Sequence, residues 1–266
     1  MKIYIVGQDE RSVKLRELYE KEKVKLEKAD VVVCPIPFSK DMVNINNSDM
    51  TIEDMILKLK NSNKTLVSGA IKDSVINKLK ENNINVIDLL DYEQYSIKNA
   101  VATSEGAIKK AIEMTDFTLN KSNVLILGYG RIGKALARNL EGFGANIFCE
   151  ARKKKDIALI ESMGYNGVDL KDLDLVLPKM DIVFNTIPTM ILDKNKVALL
   201  NRKACVIDLA SAPGGVDFEE LYKNKINTAW YLAVPSKDSP YSAALYIKET
   251  IDELLGEEDK WEKRLT

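Results

Sequence analysis

The sequence predicts an α/β protein with two open parallel sheets, and three features of the chain carry that prediction. Short continuous apolar runs at 31–34 and 124–127 have strand length without alternation, as expected for strands buried on both faces. Amphipathic helical stretches separate such runs throughout, which implies parallel βαβ units with right-handed crossovers. The strand signals also fall into two groups around a long helical stretch near Thr103, and 266 residues suffice for two cores. The expected domains are 1–100, completed by a C-terminal helix within 242–266 that returns to it, and 101–241, with the long helix joining the two.

In the first domain the strands are expected at 2–6, 31–34, 65–67 and 85–87, and the helices at 11–25, 51–60 and 73–81. Asp73 is placed to cap the last of these helices. The strands end in Gly7-Gln8-Asp9, Pro35-Ile36-Pro37 and Ser68-Gly69, on the edge where open α/β sheets bind ligands. Asp9 and Arg11 there are either substrate contacts or surface charge. The Asn- and Ser-rich stretch 39–49 reads as a loop. The helical pattern at 103–119 is preceded by hydroxyls in Thr103-Ser104-Glu105-Gly106, which read either as an ordinary N-cap or as a carboxylate site at a helix start.

Residues 123–155 carry the most specific local signal. A strand at 124–127 runs into Gly128-Tyr129-Gly130-Arg131-Ile132-Gly133, a helix follows with Ile132, Leu136, Leu140 and Phe143 on one face, and a second strand comes at 146–149. In that setting each glycine has a physical task. Gly128 permits the turn, Gly130 lets backbone approach a pyrophosphate, and Gly133 lets the helix pack close to the strand. A Rossmann-like dinucleotide domain follows, with phosphates at the helix N-terminus. The second strand ends Glu150-Ala151-Arg152-Lys153-Lys154-Lys155. An acid there would take the ribose hydroxyls of NAD, whereas Arg152 and Lys153 suit the 2′-phosphate of NADP, so NADP is favoured while Glu150 keeps NAD open.

Beyond it the pattern gives helices at 155–163 and 170–177, strands at 181–185 and 204–207, a helix from Asp217, a strand near 227–232 and a helix at 242–255. The strand ends carrying Thr186, Pro188 and Ser211 would line the nicotinamide end of the cofactor. The charged tail from Gly256 is expected to fray.

Composition removes whole classes of function. With Lys plus Arg at 39 and Asp plus Glu at 40 there is no basic field to attract nucleic acid. No apolar run is long enough to span a membrane and the N-terminus reads as a strand, so a cytoplasmic protein is expected. The chain contains no histidine, which excludes imidazole bases, His metal ligands and Ser/His/Asp triads. Cys34, Cys149 and Cys205 lack metal or redox spacing and read as buried thiols; no metal site is expected.

Four stretches resemble the family of the dipicolinate synthase A-subunit: 99–106, the glycine loop, Asn185-Thr186-Ile187-Pro188-Thr189-Met190-Ile191-Leu192, and 208–218 beginning Asp208-Leu209-Ala210-Ser211 and containing Pro213-Gly214-Gly215. The resemblance implies an NADP-dependent oxidoreductase that converts dihydrodipicolinate to dipicolinate during sporulation, partnered by a flavoprotein-like second subunit. It departs from the family in the loop 235–244 and in a first domain shortened between Glu22 and Asp30, both on the substrate side. Under this reading Thr103, Ser104 and Ser236 bind a dicarboxylate, Asp208, Glu105 and Lys237 are the catalytic candidates, and the proton acceptor is Asp208, Glu105 or water. A D-2-hydroxyacid dehydrogenase has the same layout but relies on a catalytic histidine. Two alternatives remain, a cofactor-dependent interaction partner and a catalytically silent NADP-binding subunit. The oligomeric state, a homo-oligomer included, stays open.

Overall fold

The computed structural model describes residues 1–256; the tail expected to fray lies beyond Gly256, outside the described residues. The described residues divide into two compact units, 1–99 with 235–256, and 100–234.

The first unit holds β1 (Ile3–Ile5), α1 (Glu10–Leu18), β2 (Val31–Val33), α2 (Ile52–Leu59), β3 (Thr65–Ser68), α3 (Asp73–Glu81) and β4 (Asn85–Asp88), with parallel strands in the order β1-β2-β3-β4. Thr51 and Asp54 form a reciprocal capping box that starts α2. Asp73, by contrast, does not cap α3: Lys72 is the N-cap, and Asp73 is the first helical residue, where its charge favours the helix dipole. The helix expected at 11–25 also ends early, at Leu18. The chain then lies along the free edge of β1, with the Ile3 N–H donating to Glu22 O (3.0 Å) and the Val24 N–H to Ile3 O (3.1 Å). This single bridge between Ile3 and Lys23 occupies the stretch that the sequence marks as shortened.

The long helix α4 (Glu93–Met114) leads from the first unit into the second. It begins at Glu93, so Thr103, Ser104 and Glu105 lie within the helix and the expected capped start at this point does not exist. The Ser104 hydroxyl serves helix packing instead, as its Oγ donates to Val101 O (2.8 Å) and accepts from Asn139 Nδ2 (2.8 Å).

The second unit continues with β5 (Asn123–Leu127), α5 (Arg131–Gly142), β6 (Asn146–Glu150), α6 (Lys154–Ser162), β7 (Asn166–Val168), α7 (Leu173–Val176), β8 (Ile182–Asn185), α8 (Lys194–Val197), β9 (Cys205–Asp208), α9 (Phe218–Lys223) and β10 (Asn227–Trp230). All six strands are parallel, in the order β10-β9-β8-β5-β6-β7. Val124, Leu125, Ile126 and Leu127 are all fully buried and divide between the two faces, each contributing about 1.5–3 kcal/mol of burial. On α5 the buried residues are Gly133, Leu136, Ala137 and Leu140, while Phe143, expected on that face, is the exposed C-cap. The edge strand β7 has no counterpart among the expected elements. It is three residues long with Gly167 at its centre, where a side chain would meet Ile157 at 2.7 Å.

The chain re-enters the first unit through α10 (Val234–Asp238) and α11 (Pro240–Leu255). Ala244, Ile247 and Ile251 of α11 complete the apolar cluster around Leu15 of α1 and Tyr19, the residue that caps its C-terminus, and the Tyr19 hydroxyl donates to Asp252 Oδ1 at 3.0 Å. The three cysteines are buried and unpaired, and burial raises each thiol pKa. Among the described residues no helix is long and apolar enough to cross a membrane.

Candidate dinucleotide-binding site

The carboxyl edge of the second sheet builds this site from three glycines upward. Gly128 has φ +92°, in the left-handed region, and a side chain there would meet Thr186 Oγ1 at 2.6 Å and Ile187 at 2.8 Å. Gly133 packs directly beneath the loop, where an added Cβ would collide with the Gly128 carbonyl. At Gly130 an added Cβ would meet nothing within 4 Å, so the start of α5 opens onto free space. That combination of closed floor and open mouth fits a pyrophosphate held by the amides at the start of α5. Arg131 and Ile132 form the first turn of this helix.

Loops from the neighbouring strands frame the glycine turn. Thr186 locks the end of β8 onto it, since its hydroxyl donates to Leu127 O (2.8 Å) and its amide to the same carbonyl (3.0 Å). Asn185 is fully buried, and its Nδ2 donates to Ile187 O (3.0 Å) and to Asp208 Oδ1 (2.7 Å). Asp208 also accepts from the Ala210 N–H (2.9 Å) and the Gly215 N–H (2.8 Å). This fully buried carboxylate therefore folds the loop after β9 and spends both oxygens on it. Pro188 and Ser211 are exposed on the same edge. Sequence reading assigned no role to Asn185, although a polar residue ending an otherwise apolar strand was the available signal.

At the end of β6 the side chains diverge. Arg152 and Lys153 are exposed, whereas Glu150 is buried with Oε1 unpartnered. Burial raises the Glu150 pKa; the Gly128 amide and the Arg152 guanidinium oppose the rise, and Asp169 adds to it. A carboxyl group with a raised folded-state pKa costs stability as pH climbs from the ordinary glutamate range through its own value, because the folded state holds the proton longer. Glu150→Gln is accordingly expected to stabilise the protein at neutral pH. Thermal melts at several pH values check this, and a gain that does not grow with pH across that window would contradict it.

The remaining candidates lie elsewhere. Glu105 is exposed on α4, while Thr103 and Ser104 are buried in it. Ser236 and Lys237 belong to α10 in the first unit. Ser236 is buried and donates to Asp9 Oδ1 (3.3 Å), and Lys237 is exposed. Asp9 caps α1 through the Ser12 N–H (2.9 Å) and also accepts from Asn47 Nδ2 (3.2 Å). Arg11 is buried, with Nη2 donating to Ile36 O (2.5 Å).

These features define a nicotinamide-dinucleotide-binding domain of the dehydrogenase type. The chain belongs to the family of D-isomer specific 2-hydroxyacid dehydrogenase NAD-binding domains, whose model matches residues 86–225. The model for the N-terminal domain of the dipicolinate synthase A-subunit matches residues 1–90. The resemblance to this A-subunit extends over both units. The chain is 28% identical to the dipicolinate synthase A-subunit of Bacillus subtilis (strain 168), covering 89% of this chain and 81% of the relative. The crystal structure of the corresponding protein from Bacillus halodurans superposes with a TM-score of 0.85 at 27% identity, covering 96% of this chain and 98% of the other. D-lactate dehydrogenase from Escherichia coli shares the fold, with a TM-score of 0.61 at 16% identity, covering 97% of this chain and 98% of that one.

Proposed function

We propose that the protein is an NADP-dependent oxidoreductase that converts dihydrodipicolinate to dipicolinate. The single observation that carries this reading is the likeness to the dipicolinate synthase A-subunit across both units, in sequence and in backbone. The reaction balances as dihydrodipicolinate plus NADP⁺ giving dipicolinate, NADPH and a proton. When bound, the nicotinamide supplies the hydride acceptor, and aromatisation of the substrate ring supplies driving force. The chain's own residues then have positioning work, which is worth about 7–11 kcal/mol where geometry is favourable. Gly128, Gly130, Arg131, Ile132 and Gly133 hold the pyrophosphate, and the loops bearing Thr186, Pro188 and Ser211 flank the reactive end.

NADP is favoured over NAD by the side chains that end β6. The acid that would take ribose hydroxyls is withdrawn, since Glu150 is buried, while Arg152 and Lys153 stand exposed for a phosphate. With Asp208 spent on its loop, the proton passes to Glu105 or to water. Ser236 and Lys237 remain the candidates for a substrate carboxylate. Sporulation, a cytoplasmic site of action and a flavoprotein-like companion belong to this reading.

The test mixes purified protein, freshly generated dihydrodipicolinate and NADP, and follows NADPH and dipicolinate against an enzyme-free control. Equal amounts of both products above control are expected. Arg152→Ala is expected to weaken NADPH about tenfold or more and NADH little. A protein that binds NADPH yet forms neither product would instead be a silent cofactor-binding component. That alternative is favoured by the altered 235–244 segment, whose Ser236 is already engaged by Asp9.

A further inference from the structure

Within the second unit a cavity of about 480 Å³ opens among the loops on the carboxyl edge of the sheet, a size in the range of small-molecule sites. Three strand ends build it. Arg152 follows β6, Asp169 and Lys171 follow β7, and Asp193 and Lys196 follow β8. In the order β8-β5-β6-β7 the ends of β8 and β6 flank the loop after β5, so a ligand seated on Gly130 would lie next to loops that line the cavity.

The charges in the cavity are unequal, with three cations against two carboxylates, and the carboxylates hold their lysines loosely. Lys171 Nζ stands 3.7 Å from Asp169 and Lys196 Nζ 3.6 Å from Asp193, both beyond hydrogen-bond reach. Asp193 is in addition committed to its helix, accepting the Lys196 N–H at 3.0 Å, and that contact with the backbone holds its pKa low. Lys196 is largely sheltered, its side chain 25% exposed, whereas Lys171 is 72% exposed. The apolar wall comes from Leu170 and Ile191, which pack on the core cluster below. An apolar wall with a cationic rim suits a flat base attached to a phosphorylated sugar better than a bare anion.

We propose that Lys171 and Lys196 are specificity-determining residues that, together with Arg152, clasp the phosphomonoester on the adenosine end of the dinucleotide. This assignment rests on the NADP reading above and extends it to two residues from separate strand ends. Swinging either ammonium from its loosely held carboxylate to a phosphate exchanges a weak ion pair for a charge-assisted hydrogen bond.

The experiment measures dissociation constants of the intact protein for NADPH, NADH, 2′,5′-ADP and 5′-AMP by calorimetry. Lys196→Ala is expected to weaken NADPH and 2′,5′-ADP about tenfold each and to leave NADH and 5′-AMP within about twofold. Lys171→Ala should act in the same direction with a smaller effect, because its ammonium is more exposed. Lys196→Arg should keep most of the preference. A wild-type protein that binds NADH as tightly as NADPH overturns the NADP reading and this proposal with it. A wild-type preference for NADPH that survives in both alanine variants overturns only the lysine assignment and leaves Arg152 as the reader. Equal losses for all four ligands would also overturn it, since the lysines would then be supporting the fold. Lys171→Ala guards against a folding artefact, because its side chain is largely in solvent.

Discussion

Gly133→Ala is expected to abolish measurable dinucleotide binding while leaving most of the secondary structure in place. The added methyl would come within clashing distance of the Gly128 carbonyl oxygen, so either the loop or α5 must move. The neighbour is backbone, not the end of a flexible side chain, and cannot simply rotate away. Overpacking of this kind costs about 1–3 kcal/mol in stability, and the displaced amides no longer converge on one point. NADPH fluorescence titration and circular dichroism on the same preparation check the two halves of this expectation. An unchanged affinity would mean that the phosphates are not held at the start of α5. Gly130→Ala offers a contrast, because a methyl there meets no protein atom; its cost should fall on the ligand and not on stability.

Asp208→Ala should produce the largest loss of stability. It strands the Ala210 and Gly215 amides and the Asn185 side chain in a buried site. Leaving several buried donors unsatisfied costs about 3–5 kcal/mol. The loop that carries Ser211 is then expected to open, which limited proteolysis would detect between β9 and α9. Urea unfolding of Asp208→Ala and Asp208→Asn separates this role from catalysis. Asparagine keeps the shape and one acceptor, so its effect on stability should be intermediate. If Asp208 were instead the proton acceptor, Asp208→Asn would leave stability and cofactor binding intact and remove turnover alone.

Much of the second unit could be read along the chain because its signals are local. Three glycines at fixed offsets between a continuous apolar strand and an amphipathic helix can be recognised without knowing what packs on them. The parallel sheets followed from the same kind of pattern, continuous apolar runs alternating with helices. The misreadings came where the deciding contact was distant. Thr103 and Ser104 looked like a helix start because hydroxyl residues favour caps, yet α4 begins at Glu93 and Ser104 is bonded to Asn139 of α5. β7 has too little apolar pattern to announce itself and exists through its pairing with β6.

The functional residues divide in the same way. The order of the chain by itself determined the glycine turn, the exclusion of imidazole chemistry and the cationic end of β6, because each is a matter of residue type and spacing. Only the tertiary structure decided what the acids do. Glu150 and Asp208 are both carboxylates at strand ends, indistinguishable in the sequence as ligand contacts or bases. Folding buries both, giving one an orphaned oxygen and the other three hydrogen bonds. Lys171 and Lys196 likewise carry no sequence signal, standing 25 positions apart (196 − 171) in ordinary polar segments. They meet in one cavity because parallel crossovers bring successive strand ends to the same edge of a sheet.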